Sequence, residues 1–249
     1  MQRYFLDETV SCETVTVCGD DARHISRVMR MQPGDPIICC GPDGRCAQCE
    51  ILELEPDYVV AAIKTFLDES PELPVHVTIA QGLPKGDKLD LIVQKGTELG
   101  ANAFLPFEAE RSIVKWDRKK RQKKTERLGK IAKEAAEQSH RNRIPGLNEP
   151  VTFKELLSRS SSYNIKLIAY EEEAKAGESG NFVQALRKIT PGDSMLVVIG
   201  PEGGLSEKEI SALEDTGFIA CGLGPRILRT ETAALYLLAA MSYQFELLG

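Results

Sequence analysis

The stretch "LGPRILRTETAALYLLAAM", Leu223 to Met241, sets polar chemistry at the mouth of an apolar run. Arg226 and Arg229 bring two guanidiniums, Glu231 a carboxylate, Thr230 and Thr232 two hydroxyls, and the chain then turns almost wholly apolar. A guanidinium is a rigid fork of donors suited to an oxyanion or a phosphate. A neighbouring carboxylate can accept a proton or orient the arginine. A helix beginning near Thr230 would add the positive end of its dipole at the same spot. Together these groups suit stabilisation of an anion that develops on a substrate. An Arg229–Glu231 ion pair capping the helix would use the same residues with no chemistry at all.

Two other stretches end strands in a similar way. "VVIGPEGGLSEKE" runs from an apolar segment into Gly200, Gly203 and Gly204 before Ser206, and "IAYEEE" follows Leu167. Glycine permits positive φ and close approach of backbone. Known glycine-loop alternatives fail on spacing. No glycine stands in a G-x-x-x-x-G-K-[ST] frame. Gly222-x-Gly224 begins a dinucleotide fingerprint, but Ile227 occupies the third glycine position. A G-x-S-x-G elbow is absent. His24, His76 and His140 are the only histidines and form no H-E-x-x-H, so no catalytic zinc is expected.

The elements that must position these loops follow from periodicity. "VHVTIAQGL", "AFLPF", "IKLIAYE" and "SMLVVIG" read as strands, and the last two suit burial on both faces. Asp87 to Leu99 is amphipathic and Arg118 to His140 is a long polar helix. Thr152 with Glu155, and Ser206 with Glu209, form candidate capping boxes. Alternating strands and helices predict an α/β domain with a parallel sheet, and ligands of such sheets bind at the carboxyl ends of the strands. Residues 1–70 instead hold short β-like runs around one small helix, Asp20 to Arg30, which suggests a small barrel. "DESPELP", Asp68 to Pro74, reads as the linker, giving domains at 1–70 and 71–249.

Composition narrows the function. Of 249 residues, 42% are hydrophobic and 27% charged, which supports a core and a soluble surface. The N-terminus lacks the pattern of a secretion signal, and the apolar run from Ala233 falls short of the roughly 20 residues of a membrane span, so a cytoplasmic protein is expected. Seven cysteines are an odd number, against a full disulfide set. Cys46-x-x-Cys49 has zinc-ligand spacing, but Cys39, Cys40, Cys46 and Cys49 flank a "GPDG" hairpin turn and read as structural thiols. Net charge is −6, so an anionic partner must meet local patches. One is "RKKRQKKTER", with Arg118, Lys119, Arg121 and Lys124. Arg141 and Arg143 extend it, and His24, Arg27 and Arg30 recur every third residue on the small helix, opposite Ile25 and Val28. Few aromatics lie among these charges, which favours structured RNA read by its backbone over stacked single strands.

"IGPEGGLSEKE" followed by "LGPRILRTETA" resembles the 16S rRNA uracil-N3 methyltransferase family, the RsmE type within the trefoil-knotted SPOUT methyltransferases. "HISRVMRMQPGD", "GDKLDLIVQKGTELG", "ERS" at Glu110 to Ser112 and "EQSHRNRIP" extend the resemblance over almost the whole chain. It implies an N-terminal PUA-like β-barrel, a knotted α/β domain, a homodimer and 16S rRNA of the small subunit as partner. It also implies S-adenosylmethionine as methyl donor, held by Ala169, Tyr170, Glu171, Ile199, Gly200, Pro201, Glu202, Gly203, Leu223, Gly224, Ile227, Leu228 and Thr232. Arg229, Glu231 and Arg226 are the catalytic candidates. The ribose 2′-O branch carries an Asn-centred "SLNVS" where this chain has "LRTETAA", which argues against ribose chemistry. A non-catalytic RNA-binding protein remains the rival; it would need the basic patches but not the glycine loops.

Overall fold

The structure is a computed structural model that describes residues 1–171 and 180–248. The chain divides into two compact units, 1–72 with 133–144, and 73–132 with 145–249.

The first unit is built on a five-stranded sheet. Its strands are β1 (Arg3–Phe5), β2 (Thr14–Cys18), β3 (Pro36–Cys40), β4 (Cys46–Leu54) and β5 (Tyr58–Phe66), in the order β1-β3-β4-β5-β2. β1 pairs parallel to β3 and the other pairings are antiparallel. Alternate residues of the strands, with Tyr4, Val10 and Ile25, fill one core. The expected small helix is α1 (Gly19–Arg23), followed by a π-helical turn, His24–Val28. That wider turn changes the expected helix face. Ile25 is buried, but Val28 is 66% exposed and shares the surface with Arg27 and Arg30.

The four clustered cysteines also depart from expectation. β3 and β4 form the predicted hairpin, and Cys40 and Cys46 face each other across it as a disulfide rather than as two thiols. Cys39 and Cys49 are buried in the core of the first unit, and the Cys49 thiol donates to Ala47 O at 3.7 Å. Cys46-x-x-Cys49 therefore does not act as a ligand pair, because Cys46 is bonded to Cys40 while Cys49 lies in the apolar core.

The second unit is a parallel α/β layer structure. β6 (His76–Gly82), β7 (Ala103–Glu108), β8 (Gly146–Leu147), β10 (Ile165–Ala169), β11 (Ser194–Ile199) and β12 (Ile219–Cys221) lie in the order β12-β10-β11-β6-β7-β8, while β9 (Val151–Thr152) pairs with β7. The late strand β11 is thus inserted between β10 and β6. Its residues alternate between two apolar layers. Met195, Val197 and Ile199 pack with α2 (Lys88–Glu98), α5 (Asn181–Lys188) and α7 (Thr230–Ser242); Leu196 and Val198 join α4 (Phe153–Arg159) and α6 (Glu207–Asp215) on the other face. This is the two-sided burial that the unbroken apolar runs predicted. α3 (Arg118–Gln138) is the long polar helix. Both capping boxes form, Thr152 with Glu155 and Ser206 with Glu209. The fold class is the expected one, a parallel-sheet α/β unit preceded by a small β unit. Among the described residues no helix is long and apolar enough to cross a membrane.

Arg141, expected at an RNA surface, is instead buried in the first unit. Its Nε donates to Glu72 Oε2 at 3.1 Å, and the same carboxylate accepts from Asn142 N at 2.9 Å. The Arg141 carbonyl accepts from Arg3 Nη1 at 2.7 Å. Removing one member of a buried pair leaves the other charge without compensation. Glu72→Ala should therefore lower the unfolding free energy by about 3 kcal/mol in urea titrations, whereas a solvated arginine would register almost no change.

Candidate functional site

The carboxyl ends of β10 and β11 and the segment before α7 converge on one cleft of about 640 Å³, a size suited to a small molecule. Ala169, Tyr170 and Glu171 line it from β10, with Glu172 and Glu173 outside the described residues. Ile199, Gly200, Pro201, Glu202 and Gly203 line it from β11, and Ile227, Leu228 and Arg229 from the last loop.

The glycines serve the turn itself. A Cβ at Gly200 would sit 3.0 Å from Gly204 C, and one at Gly203 would sit 3.1 Å from Arg111 Cβ. Gly204 has φ +70°, in the left-handed region. The loop thus folds back tightly after β11. Arg111 Nη1 donates to Gly203 O at 3.2 Å, and the 110–112 turn is fixed to the start of α6: Glu110 N donates to Glu209 Oε1 at 2.8 Å and Ser206 Oγ donates to Glu110 Oε2 at 2.8 Å.

A buried hydrogen-bond chain ties this loop to the start of α7. Gln81, at the end of β6, is fully buried, and its Nε2 donates to Thr230 Oγ1 at 2.8 Å; Thr230 Oγ1 donates to Gly200 O at 2.6 Å. Arg229 is the N-cap position of α7, so its side chain leaves from the positive end of that helix. The Arg226 and Arg229 side chains make no hydrogen bond or ion pair among the described residues.

Glu231 does not pair with Arg229. Its Oε2 lies 3.5 Å from Lys88 Nζ, at the start of α2, and Lys88 also bonds Glu202 Oε1 at 2.9 Å. Burial pushes the Glu202 carboxyl up, but hydrogen bonds from Lys88 Nζ and from the Lys85 amide outweigh it and hold the group below its ordinary value. The same bond to Glu202 raises Lys88.

Several predicted residues stand apart from the cleft. Leu223 packs on the apolar core, Gly224 turns the chain at φ +90°, and Arg226 and Thr232 point to solvent. Lys88, Arg111 and Gln81 were not singled out by sequence reasoning, and Thr230 was named there only as a hydroxyl at the helix start. A glutamine inside the otherwise apolar "VTIAQGL" was the available signal for Gln81.

The basic positions divide in the same way. Arg118 and Lys119 are exposed and Lys124 half-buried on α3, and Arg27 and Arg30 are exposed on the first unit. Arg121 is committed to Glu108 at 2.5 Å and to the carbonyls of Trp116 and Pro150. His24 Nδ1 bonds the Tyr4 hydroxyl at 3.1 Å, and Arg143 bonds the Asp43 carbonyl.

The chain matches two family models: "RNA methyltransferase domain" over residues 71–242 and "RNA methyltransferase PUA domain" over residues 17–64. Fold and cleft thus define an RNA methyltransferase of the SPOUT type. It is 51% identical to ribosomal RNA small subunit methyltransferase E of Bacillus subtilis, covering 100% of this chain and 98% of the relative. Among solved structures, it is similar to a ribosomal RNA small subunit methyltransferase E from Neisseria gonorrhoeae bound to S-adenosyl methionine, at TM-score 0.86, 33% identity and 98% coverage of both chains. A methyltransferase from Legionella pneumophila in complex with the same cofactor superposes at TM-score 0.81, with 29% identity and 96% coverage of both. The chain belongs to the ribosomal RNA small subunit methyltransferase E family.

The Gln81–Thr230–Gly200 chain makes a stability prediction. Thr230→Val keeps the shape but strips Gly200 O of its shorter hydrogen bond, leaving only the longer one from Gln81 Nε2, and takes an acceptor from Gln81 Nε2; it should destabilise the fold by about 1–3 kcal/mol in chemical denaturation. Thr230→Ser should stay close to the parent.

Proposed function

We propose that the chain transfers a methyl group from S-adenosylmethionine to N3 of a uridine in 16S ribosomal RNA of the small subunit, in the cytoplasm. The observation that carries this reading is Arg229, which lines the same cleft as the strand-end loops of β10 and β11 and stands without a partner among the described residues.

The residues present fit the donor. Glu171 and Glu207 line the cleft and complement a cationic ligand, while Arg111 complements its carboxylate. Ala169 to Glu171, Ile199 to Gly203, and Ile227 with Leu228 would hold it through backbone and apolar contact. The donor supplies an electrophilic methyl group on a sulfonium. Uracil N3 is nucleophilic as its anion, whose charge spreads to O2 and O4. Arg229, at the positive end of α7, would hold that charge. Glu231 is a poor candidate for the base in this arrangement, because it faces Lys88. The target base must leave its stack to reach the cleft.

RNA contact is assigned to Arg118, Lys119 and Lys124 on α3, and to Arg27 and Arg30 beside the exposed Val28 in a PUA-like unit spanning residues 1–70. Ile227, Tyr236, Tyr243 and Leu247 are all exposed apolar side chains on or beside α7, and we assign this surface to a second copy of the chain.

Arg229→Ala should lower the single-turnover methylation rate on the order of a hundredfold or more while donor affinity stays near the parental value. Near-parental turnover with an intact fold would place the chemistry elsewhere. Reversing Arg118 and Lys119 to glutamate should weaken binding to 16S rRNA and flatten its dependence on salt, because fewer counterions are released. An unchanged salt slope would return this helix face to plain solvation.

A further inference from the structure

We infer that Lys88 is a positioning residue for methyl transfer: its ammonium clamps the donor loop, through Glu202, to the helix that carries Arg229, through Glu231. This rests on the donor-cleft reading above.

The clamp joins three segments that are distant in sequence. Lys88 opens α2, Glu202 lies in the turn after β11, and Glu231 lies in the first turn of α7. One ammonium serves both carboxylates, at 2.9 Å and 3.5 Å. Glu231 Oε2 is buried and has no hydrogen-bond partner in its own right, so Lys88 is the compensation for its charge. The Glu202 side chain is further fixed by the Lys85 amide, at 3.1 Å and 3.3 Å to its two oxygens. The start of α2 therefore grips the donor loop by a side chain and by backbone.

Without the ammonium, two carboxylates held near the same point would repel. The other charged groups around this cleft are Arg111, Glu171, Glu207 and Arg229. None of these forms an ion pair with Glu202 or Glu231 among the described residues. Repulsion would push the Glu202 turn away from α7 and displace both walls of the cleft. The two arms have different consequences. The Glu202 arm shapes the donor loop and governs donor affinity. The Glu231 arm sets the start of α7 and governs where Arg229 points.

The test combines donor calorimetry with single-turnover methylation on the full chain. At pH 8, Lys88→Met should weaken S-adenosylmethionine binding about tenfold. The double change Lys88→Met with Glu231→Gln should bind better than Lys88→Met alone, because it removes one of the opposed charges. Lys88→Arg should retain most affinity. Glu231→Gln alone, which keeps the size and carries the test should Lys88→Met not fold, should slow the rate at saturating donor severalfold and leave affinity within about twofold. Parental affinity and rate in both Lys88→Met and Glu231→Gln would overturn the clamp while leaving the donor cleft standing. A loss in Lys88→Met that is not relieved in the double variant would also overturn it in favour of direct ligand contact. Failure of the parent protein to bind S-adenosylmethionine would overturn the donor-cleft reading itself, and the clamp with it.

Discussion

The buried amide of Gln81 is the constraint on which the site depends. It sits at the carboxyl end of β6, beside β11, and reaches Thr230 at the first turn of α7. Thr230 in turn holds the Gly200 carbonyl, where β11 becomes the glycine loop. Backbone groups at such an irregular strand end have no ladder partner, and leaving them unpaired in a dry interior is costly. Two side chains solve this and at the same time fix where the last helix begins. Arg229 precedes Thr230, so its placement follows from the hydrogen-bonding needs of a neighbouring loop. An apolar side chain of similar shape at 81 or 230 would preserve packing and lose this registration.

The tightness of the β11 loop has the same origin. Its glycines face Gly204 and Arg111 at contact distance, and its far end is secured by the Ser206 box and by Glu110. A rigid loop loses little freedom when a ligand arrives, which is the advantage of a prearranged site.

Much of this was legible from sequence, and the reasons differ by feature. The parallel sheet was readable because strands buried on both faces must be apolar throughout, and both capping boxes because their geometry is local. Two of the three strand-end loops could be named since glycine clusters follow the apolar runs directly; the third, after β10, is marked only by the end of its apolar run. What failed was pairing across long separations. Arg141 and Arg121 read as free positive charge, yet Glu72 and Glu108 neutralise them, and nothing in spacing marks those partners. Lys88 was hidden for the same reason. The π-helical turn at His24–Val28 defeated a helical-periodicity argument, because one extra residue per turn rotates Val28 outward. The Cys40–Cys46 disulfide escaped because an odd cysteine count says nothing about any single pair.

The insertion of β11 between β10 and β6 also bears on how the chain reaches this structure. Ile199 pairs opposite Gln81, and the two are separated by 118 residues. During synthesis β6 and β7 emerge early and can associate, but one edge of β6 stays open until β11 has left the ribosome. Such an exposed, apolar edge is the kind of surface on which nascent chains pair wrongly. Non-local parallel pairing is slow to form, since the loop must close before the contact rewards it. The central strand, on which the cleft is built, is therefore a late arrival. Assembly of the site and completion of the sheet become a single event near the end of folding.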